Sequence, residues 1–567
     1  MRSVPRRRLS FALTLIPTLA ALLSAPRLAA QGGEPQYFAI RGATVVPVSG
    51  PRVENALVIV SRGVITAVGK DAAIPEEAWV IEGKGLTVYP GLVDSFTDVG
   101  LSPAAPAPPA AGEAGARSTQ PISRGPEDRP GSTPWRDAAG EATLTDKRVE
   151  SWRSAGFATV VSAPKGGMFP GQAAVLDLAG ERNGDMVVKT PVAIPVSFQP
   201  TGNFSSFPHS LMGVIAYVRQ VWLDTDWSTK AEAIYEKNPH GVARPRYDRT
   251  DSALAGALED HALVLIPANT SLQIRRAFEL ADRWHVNSAI YGGQMGYEVA
   301  DEIAAKKLPV LVDLKWPEAD KDADPDDVPS LRTLRFRDRA PSSPAALAKA
   351  GVKFAFYSGG IAAPKDILKA AKKSIDAGLA PDAALRALTL APAEIFGVAD
   401  RLGSIEKGKI ANLVVADGDL FDEKTKIKYV FVDGQRFDIH EPEKPKDPPK
   451  GDLTGKWKLA YTTPEGAEES TVDLTMASDG ALSGTTTGKR GTTNIITGYL
   501  SGDKFTFTIN ILIQGSPSDV VFTGTFDGTS IKGVISVVGI DIDFTGTKPG
   551  ARSIAADQSS GAQEEAR

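Results

Sequence analysis

The sequence predicts an α/β chain built on a TIM-like (β/α) barrel, with a composite β-sandwich drawn from both flanks and a further all-β domain at the C-terminus. Three observations carry this reading. Between residue 89 and about residue 398, short apolar runs alternate with helical patterns. On either side lie glycine-punctuated stretches, 38–88 and 403–437, that read as short strands. Beyond the proline-rich, charged segment EPEKPKDPPK at 441–450, about eight strand-like segments follow with turn signals between them.

The barrel strands are expected in the runs 158–163, 192–196, 262–266, 286–291, 309–314 and 352–357. Helices fit between them at 271–284, 297–306 and 364–377, where apolar residues recur at spacings of three and four. Such alternation suits a barrel or a doubly wound sheet, and the flanking β pieces favour the barrel. The stretch 101–134, rich in Pro, Ala, Gly and Ser, is expected to be a long, partly disordered loop over the barrel mouth.

In the flanks, strands are read at 38–48, 56–62, 64–69 and 79–81, then at 413–416 and 429–432, the last running into the hairpin signal Asp433-Gly434. Neither flank alone has enough strands to cover an apolar face, so the two are expected to form one unit. The C-terminal domain, 452–548, reads as a closed antiparallel barrel or sandwich of lipocalin-like kind, with turns at 478–480, 501–503 and 527–529. It carries a short echo, LSGT at 482–485 and FTGT at 522–525 and 544–547. The tail 549–567 is polar and expected to be disordered. The expected domains are thus 1–30, 37–89 with 400–438, 90–399, the linker 441–450, and 452–548.

With 567 residues, 42% of them hydrophobic and 23% charged, the chain has room for two or three cores. A formal net charge of -5 argues against nucleic acid or an anionic membrane surface as a main partner. Cysteine is absent, which removes disulfides and thiolate chemistry. At the N-terminus Arg2 and Arg6, Arg7 and Arg8 precede an apolar run from Leu9 to Leu23 and small residues ending at Ala29 and Ala30. This pattern predicts a secretory signal peptide, with a membrane anchor as the alternative, and Pro17 interrupts a run already short for a span. The mature protein is therefore expected to be periplasmic or extracellular, with no stable membrane anchor. The paired arginines fit twin-arginine export only loosely.

The stretch YPGLVDSFTDVG, 89–100, opens the barrel. It resembles the first barrel strand of the amidohydrolase superfamily, the metal-dependent hydrolases related to imidazolonepropionase, and GSIEKGKIANLVVADGD at 403–419 is similar to that family's closing motif. The resemblance covers about 400 residues, 38–437. It implies a zinc-dependent hydrolase acting on carbon-nitrogen bonds other than peptides, with histidines at two positions of the first strand, two further histidines and an aspartate. Here those positions are Phe96 and Asp98, Pro267, Gly292 and Gly359, so the resemblance implies the fold while the family's ligands are missing. His209, His240, His261, His285 and His440 stand in no metal-ligand spacing.

Other groups fall at expected strand ends: Asp98, Asn269, Gln294, Asp313, Lys315, Tyr357 and Ser358. Asp98 and Asp313 are candidates for a hard cation such as Mg²⁺ or Ca²⁺, with helix capping or pairing to Lys315 as the plainer alternative. No cofactor is expected. Lys165-Gly166-Gly167 and SDGALSGTTTGKRGTT resemble anion-binding turns only superficially and read as tight turns and hairpins. Two functions follow. One is an exported amidohydrolase-like protein that has lost its metal and binds a small-molecule ligand or a protein partner. The other is a working hydrolase with an atypical oxygen-ligand site.

Overall fold

A computed structural model describes residues 37–70, 72–102, 129, 131–199, 208–319, 328–439, 447–463, 466–489, 491–513, 516–537 and 540–548. The expected signal peptide, most of the stretch expected to be a loop over the mouth, His440, most of the linker and the C-terminal tail lie outside the described residues. The chain divides into two compact units, one within Pro35–Glu441 and one within Pro442–Arg567.

In the first unit the two flanks share one continuous eight-stranded sheet. They meet where Leu413–Ala416 pairs antiparallel with Thr87–Pro90, Leu413 opposite Pro90 and Val415 opposite Val88. Phe38 and Ile40, Val58 and Val60, and Leu413 and Val415 join one core, while the intervening Ala39, Leu57 and Ile59 are buried in a second cluster, so alternate residues serve two faces. Asn412 ties this sheet to the barrel. Its amide donates to Asp177 (2.8 Å) and Thr159 (3.0 Å), while its carbonyl accepts from the Asp433 N–H (2.7 Å). Burial pushes Asp177 up to about 7. The closing motif thus has a structural task at Asn412, independent of any chemistry.

The barrel takes its eight strands in chain order: Leu92–Thr97, Phe157–Ser162, Ala173–Asp177, Val187–Pro195, Leu263–Ala268, Ser288–Gly292, Val310–Asp313 and Phe354–Tyr357. One expectation is corrected here. Ala173–Asp177 does not appear among the expected strands, and it runs antiparallel to both neighbours, so the barrel is not an unbroken strand-helix repeat. The turn after Ser162, with Gly166, Gly167 and Gly171 all at positive φ, sends the chain straight back. A reversed strand needs no helical crossover. Small and branched side chains fill the interior, Val93, Val161, Val192, Leu265, Ala289 and Ala355 among them.

Ser271–Trp284 forms the expected helix, opened by a reciprocal capping pair between Thr270 and Gln273 and closed by His285 in the left-handed region. Lys365–Asp376 matches its expected range closely, whereas 297–306 splits into a short 3-10 turn, Gly296–Glu298, and the helix Ala300–Lys306. The 27-residue helix Leu211–Lys237 is an addition to the expected set. Among the described residues no helix is long and apolar enough to cross a membrane.

The second unit is a closed barrel of eight antiparallel strands, joined where Gly455–Thr463 pairs with Ile540–Thr547. At one end Trp457, Leu474, Leu500, Phe505 and Phe526 are buried together, and the Trp457 indole donates to the Leu453 carbonyl (2.9 Å). The repeated echo now has a reason. A Cβ at Gly524 would sit 2.8 Å from the Phe505 ring, and one at Gly546 would sit 2.6 Å from both Ile531 and Leu459, so these glycines admit the plug.

Candidate functional site

The C-terminal ends of the parallel strands form the mouth, and its floor is set by the strand Leu92–Thr97. Leu92, Val93, Asp94 and Ser95 are all buried. At the seam between the first and last strands, side chains supply the bonds. The Ser95 hydroxyl donates to the Phe356 carbonyl, and the Ser358 N–H donates to the Asp94 carboxylate (3.0 Å). The other Asp94 oxygen accepts from the Trp152 indole (3.2 Å). Burial pushes Asp94 up to about 6, against the lowering effect of these donors.

Asp313, at the end of Val310–Asp313, accepts from the Lys315 N–H (2.7 Å) and is bonded to the Tyr357 side chain. Burial raises Asp313 to about 6 and the nearby Asp94 charge adds to the rise. Tyr357 is held well above the usual phenol range by burial and then by Asp313. Gly359 has φ +60°, and a Cβ built there would overlap the Asp313 carboxylate. The place of the expected aspartate is thus taken by a carboxylate from the neighbouring strand.

Three rings meet at the strand ends. Phe96 lies 5.0 Å from Tyr291 and 5.8 Å from Tyr357, centre to centre, and the two tyrosines are 6.5 Å apart. The Tyr291 hydroxyl donates to the Val196 carbonyl (2.8 Å), and burial raises its pKa. Pro267 and Tyr291 are direct partners in the parallel ladder, as are Ala268 and Gly292. Asn269 and Gln294 clamp each other: the Asn269 amide donates to the Gln294 carbonyl (3.1 Å) and the Gln294 N–H to the Asn269 carbonyl (3.0 Å). The Gln294 amide then donates to the backbone carbonyls of Asp313 (3.2 Å) and Lys315 (2.8 Å).

Asp98 belongs to a separate network on the rim. Its carboxylate pairs with Arg148 (2.9 Å) and Lys165 (2.9 Å), and Arg148 also pairs with Asp146 (2.9 Å). The structure therefore brings Asp313, Lys315, Tyr357, Ser358, Asn269 and Gln294 together with Phe96, and leaves Asp98 with cations of its own. Lys165-Gly166-Gly167 is a tight turn whose lysine is engaged by Asp98. His209 and His240 flank the helix Leu211–Lys237, His261 precedes a strand, and His285 caps a helix. Among the described residues no three His, Asp or Glu side chains converge as a metal site would need.

Tested against zinc, the residues present do not fit. Phe96, Pro267, Gly292 and Gly359 offer no side-chain donor, and the rings of Phe96, Tyr291 and Tyr357 pack against one another there. Two residues of this cluster are absent from the sequence-based set, Asp94 and Tyr291. Asp94 carried a signal, a lone carboxylate inside an apolar strand run. Tyr291 gave none, because an aromatic residue is ordinary in a strand.

The amidohydrolase family's sequence profile matches residues 315–437. No curated protein sequence matches the chain. Among solved structures, an amidohydrolase from Thermotoga maritima MSB8 is similar with a TM-score of 0.58 and 23% identity, over 71% of this chain and 100% of that one. A prolidase complexed with N-methylphosphonate-L-proline aligns at 19% identity and TM-score 0.44, over 71% and 100% of the two chains. Molinate hydrolase aligns at 15% and 0.43, over 72% and 96%. The first of these shows the fold.

Proposed function

We infer that this chain is an amidohydrolase-superfamily protein, a reading that its fold and its matched segment support, and that it has left the family's zinc chemistry and acts as an exported binding protein for a small molecule or a protein partner. The observation that supports this most is the lining of the mouth, where Phe96, Tyr291 and Tyr357 form an aromatic cluster and Asp313 occupies the space beside Gly359. Metal-assisted hydrolysis needs an open position for water among converging donors. Export rests on the arginine-led apolar N-terminus, and the small net charge agrees with a partner other than nucleic acid.

One observation favours hydrolysis by an atypical site. Asp313 is raised to about 6 at a strand end, near the range useful to a general base. Its bonds to Tyr357 and to the Lys315 N–H make it a structural acceptor on the binding reading. The test is an amide-hydrolysis assay with dipeptides, N-acyl amino acids and cyclic ureides, before and after chelation and with added zinc. The expected result is no turnover above buffer in any arm. Zinc-stimulated, chelator-sensitive turnover overturns the reading; chelator-insensitive turnover that Asp313→Asn abolishes establishes the atypical hydrolase instead.

A further inference from the structure

The C-terminal barrel is plugged at one end and hollow at the other. A cavity of about 300 Å³ opens toward the end where Gly455–Thr463 turns into Gly466–Met476 and Leu482–Gly488 into Gly491–Ser501. Its two walls differ in chemistry. Inward residues of the last four strands give an apolar wall, Ile509, Val520, Phe522, Ile535, Val537 and Ile542. The first four strands give a wall of hydroxyls and glycines, with Ser470 and Thr486 deepest in the polar row.

The row along Gly466–Met476 explains this polarity. Its inward residues run Met476, Leu474, Val472, Ser470 and Glu468, from apolar at the plug to charged at the rim. Ser470 is 6% exposed and Thr486 7%, yet neither hydroxyl has a hydrogen-bond partner. A buried hydroxyl without a partner costs about 1–3 kcal/mol, so two of them in the wall of one cavity call for a partner that reaches them when the cavity is occupied. At the rim the Glu468 carboxylate pairs with Lys489 (3.1 Å), so no free cation faces inward from this pair. Gly488 and Gly491 keep the entrance wide.

We propose that this cavity is a binding site for a small neutral amphiphile, a molecule with an alkyl or aromatic body and one hydrogen-bonding group such as an alcohol, ketone or ester. The apolar body lies against Ile509, Phe522 and Ile535, and the polar group meets the Ser470 and Thr486 hydroxyls. The volume stands at the small end of ligand pockets, about 300–1,000 Å³, which favours a compact ligand over a long-chain lipid. A carboxylate is disfavoured, because its charge would be buried among neutral hydroxyls or set beside Glu468. The proposal rests on the second unit alone, so it stands or falls separately from the zinc-free reading of the first.

The test uses the full chain and the neutral dye N-phenyl-1-naphthylamine, whose emission rises in apolar sites. Wild-type protein is expected to bind the dye, with 1-decanol displacing it at lower concentration than decanoate. Ile535→Trp, which fills the cavity, is expected to weaken dye binding at least tenfold. The double variant Ser470→Ala, Thr486→Val keeps the shape and is expected to bind the dye as before while weakening competition by decanol about five- to tenfold. No dye binding by wild type, equal binding by Ile535→Trp, or unchanged decanol competition in the double variant overturns the proposal, as does decanoate outcompeting decanol. Should Ile535→Trp fail to fold, the double variant alone decides.

Discussion

Asp94→Ala is expected to destabilise the barrel unit by about 2–4 kcal/mol in denaturant unfolding, although Asp94 lies at the floor of the mouth and is not itself among the expected site residues. Two donors depend on it, the Trp152 indole at 3.2 Å and the Ser358 N–H at 3.0 Å, and each buried orphan costs about 1–3 kcal/mol. Relief of a buried charge offsets part of that loss. Asp94→Asn keeps an acceptor and is expected to cost less than half as much. Both variants also remove a group whose titration makes stability depend on pH. The folded-state pKa of Asp94, about 6, lies above its ordinary 3.8, so its contribution is fully present below about pH 4 and is lost as pH rises through 6. Asp313 at about 6 and Asp177 at about 7 act with the same sign. The wild-type melting temperature should therefore fall between pH 4 and pH 7 from these groups, and Asp94→Asn should flatten that fall. A steeper fall in the variant would contradict the assignment.

Gly359→Ala carries the second large effect, about 3 kcal/mol of destabilisation. A φ of +60° costs a residue with a Cβ about 1–2 kcal/mol, and overlap with the Asp313 carboxylate adds about 1–3 kcal/mol more. Truncating the obstacle should recover the second part. In a double-mutant cycle, Asp313→Ala combined with Gly359→Ala is expected to show a coupling of about 1–3 kcal/mol in the favourable direction. Strict additivity would mean that the two positions do not share the space. Aspartate at 359 would meet the same carboxylate and add like-charge repulsion, so rebuilding the family's ligand set at 96, 98, 267, 292 and 359 requires Asp313 to be changed first.

Much of the fold was legible because its strands are short apolar runs bounded by Gly and Pro. Gly91 shows why the opening motif is so readable: a Cβ there would sit 2.5 Å from that of Ala158 and 3.1 Å from that of Asn412, so three segments meet at one glycine. The reversed strand Ala173–Asp177 was hidden, since its apolar run AAVLD looks the same in either direction. The helix Leu211–Lys237 was hidden for another reason. It buries Val214, Val218 and Val221 yet exposes Leu223, Trp227 and Ile234, which blurs the one-sided pattern that marks a helix. At the site, Asp313, Tyr357 and Ser358 could be placed from strand ends alone. Their partners could not, because Asp94 reaches Trp152 and Ser358 across 58 and 264 residues of sequence. Asp98 looked like part of the same group and joins Arg148 and Lys165 instead.

The proposed function requires that the mouth hold no zinc in the family's manner. Its most direct test is the zinc content of the purified full chain, measured by elemental analysis after equilibration with excess zinc and gel filtration. Far less than one zinc per chain is expected, unchanged by prior treatment with chelator. One or more zinc ions retained per chain, removable by chelator and lost on substitution of Asp94 or Asp313, would contradict it.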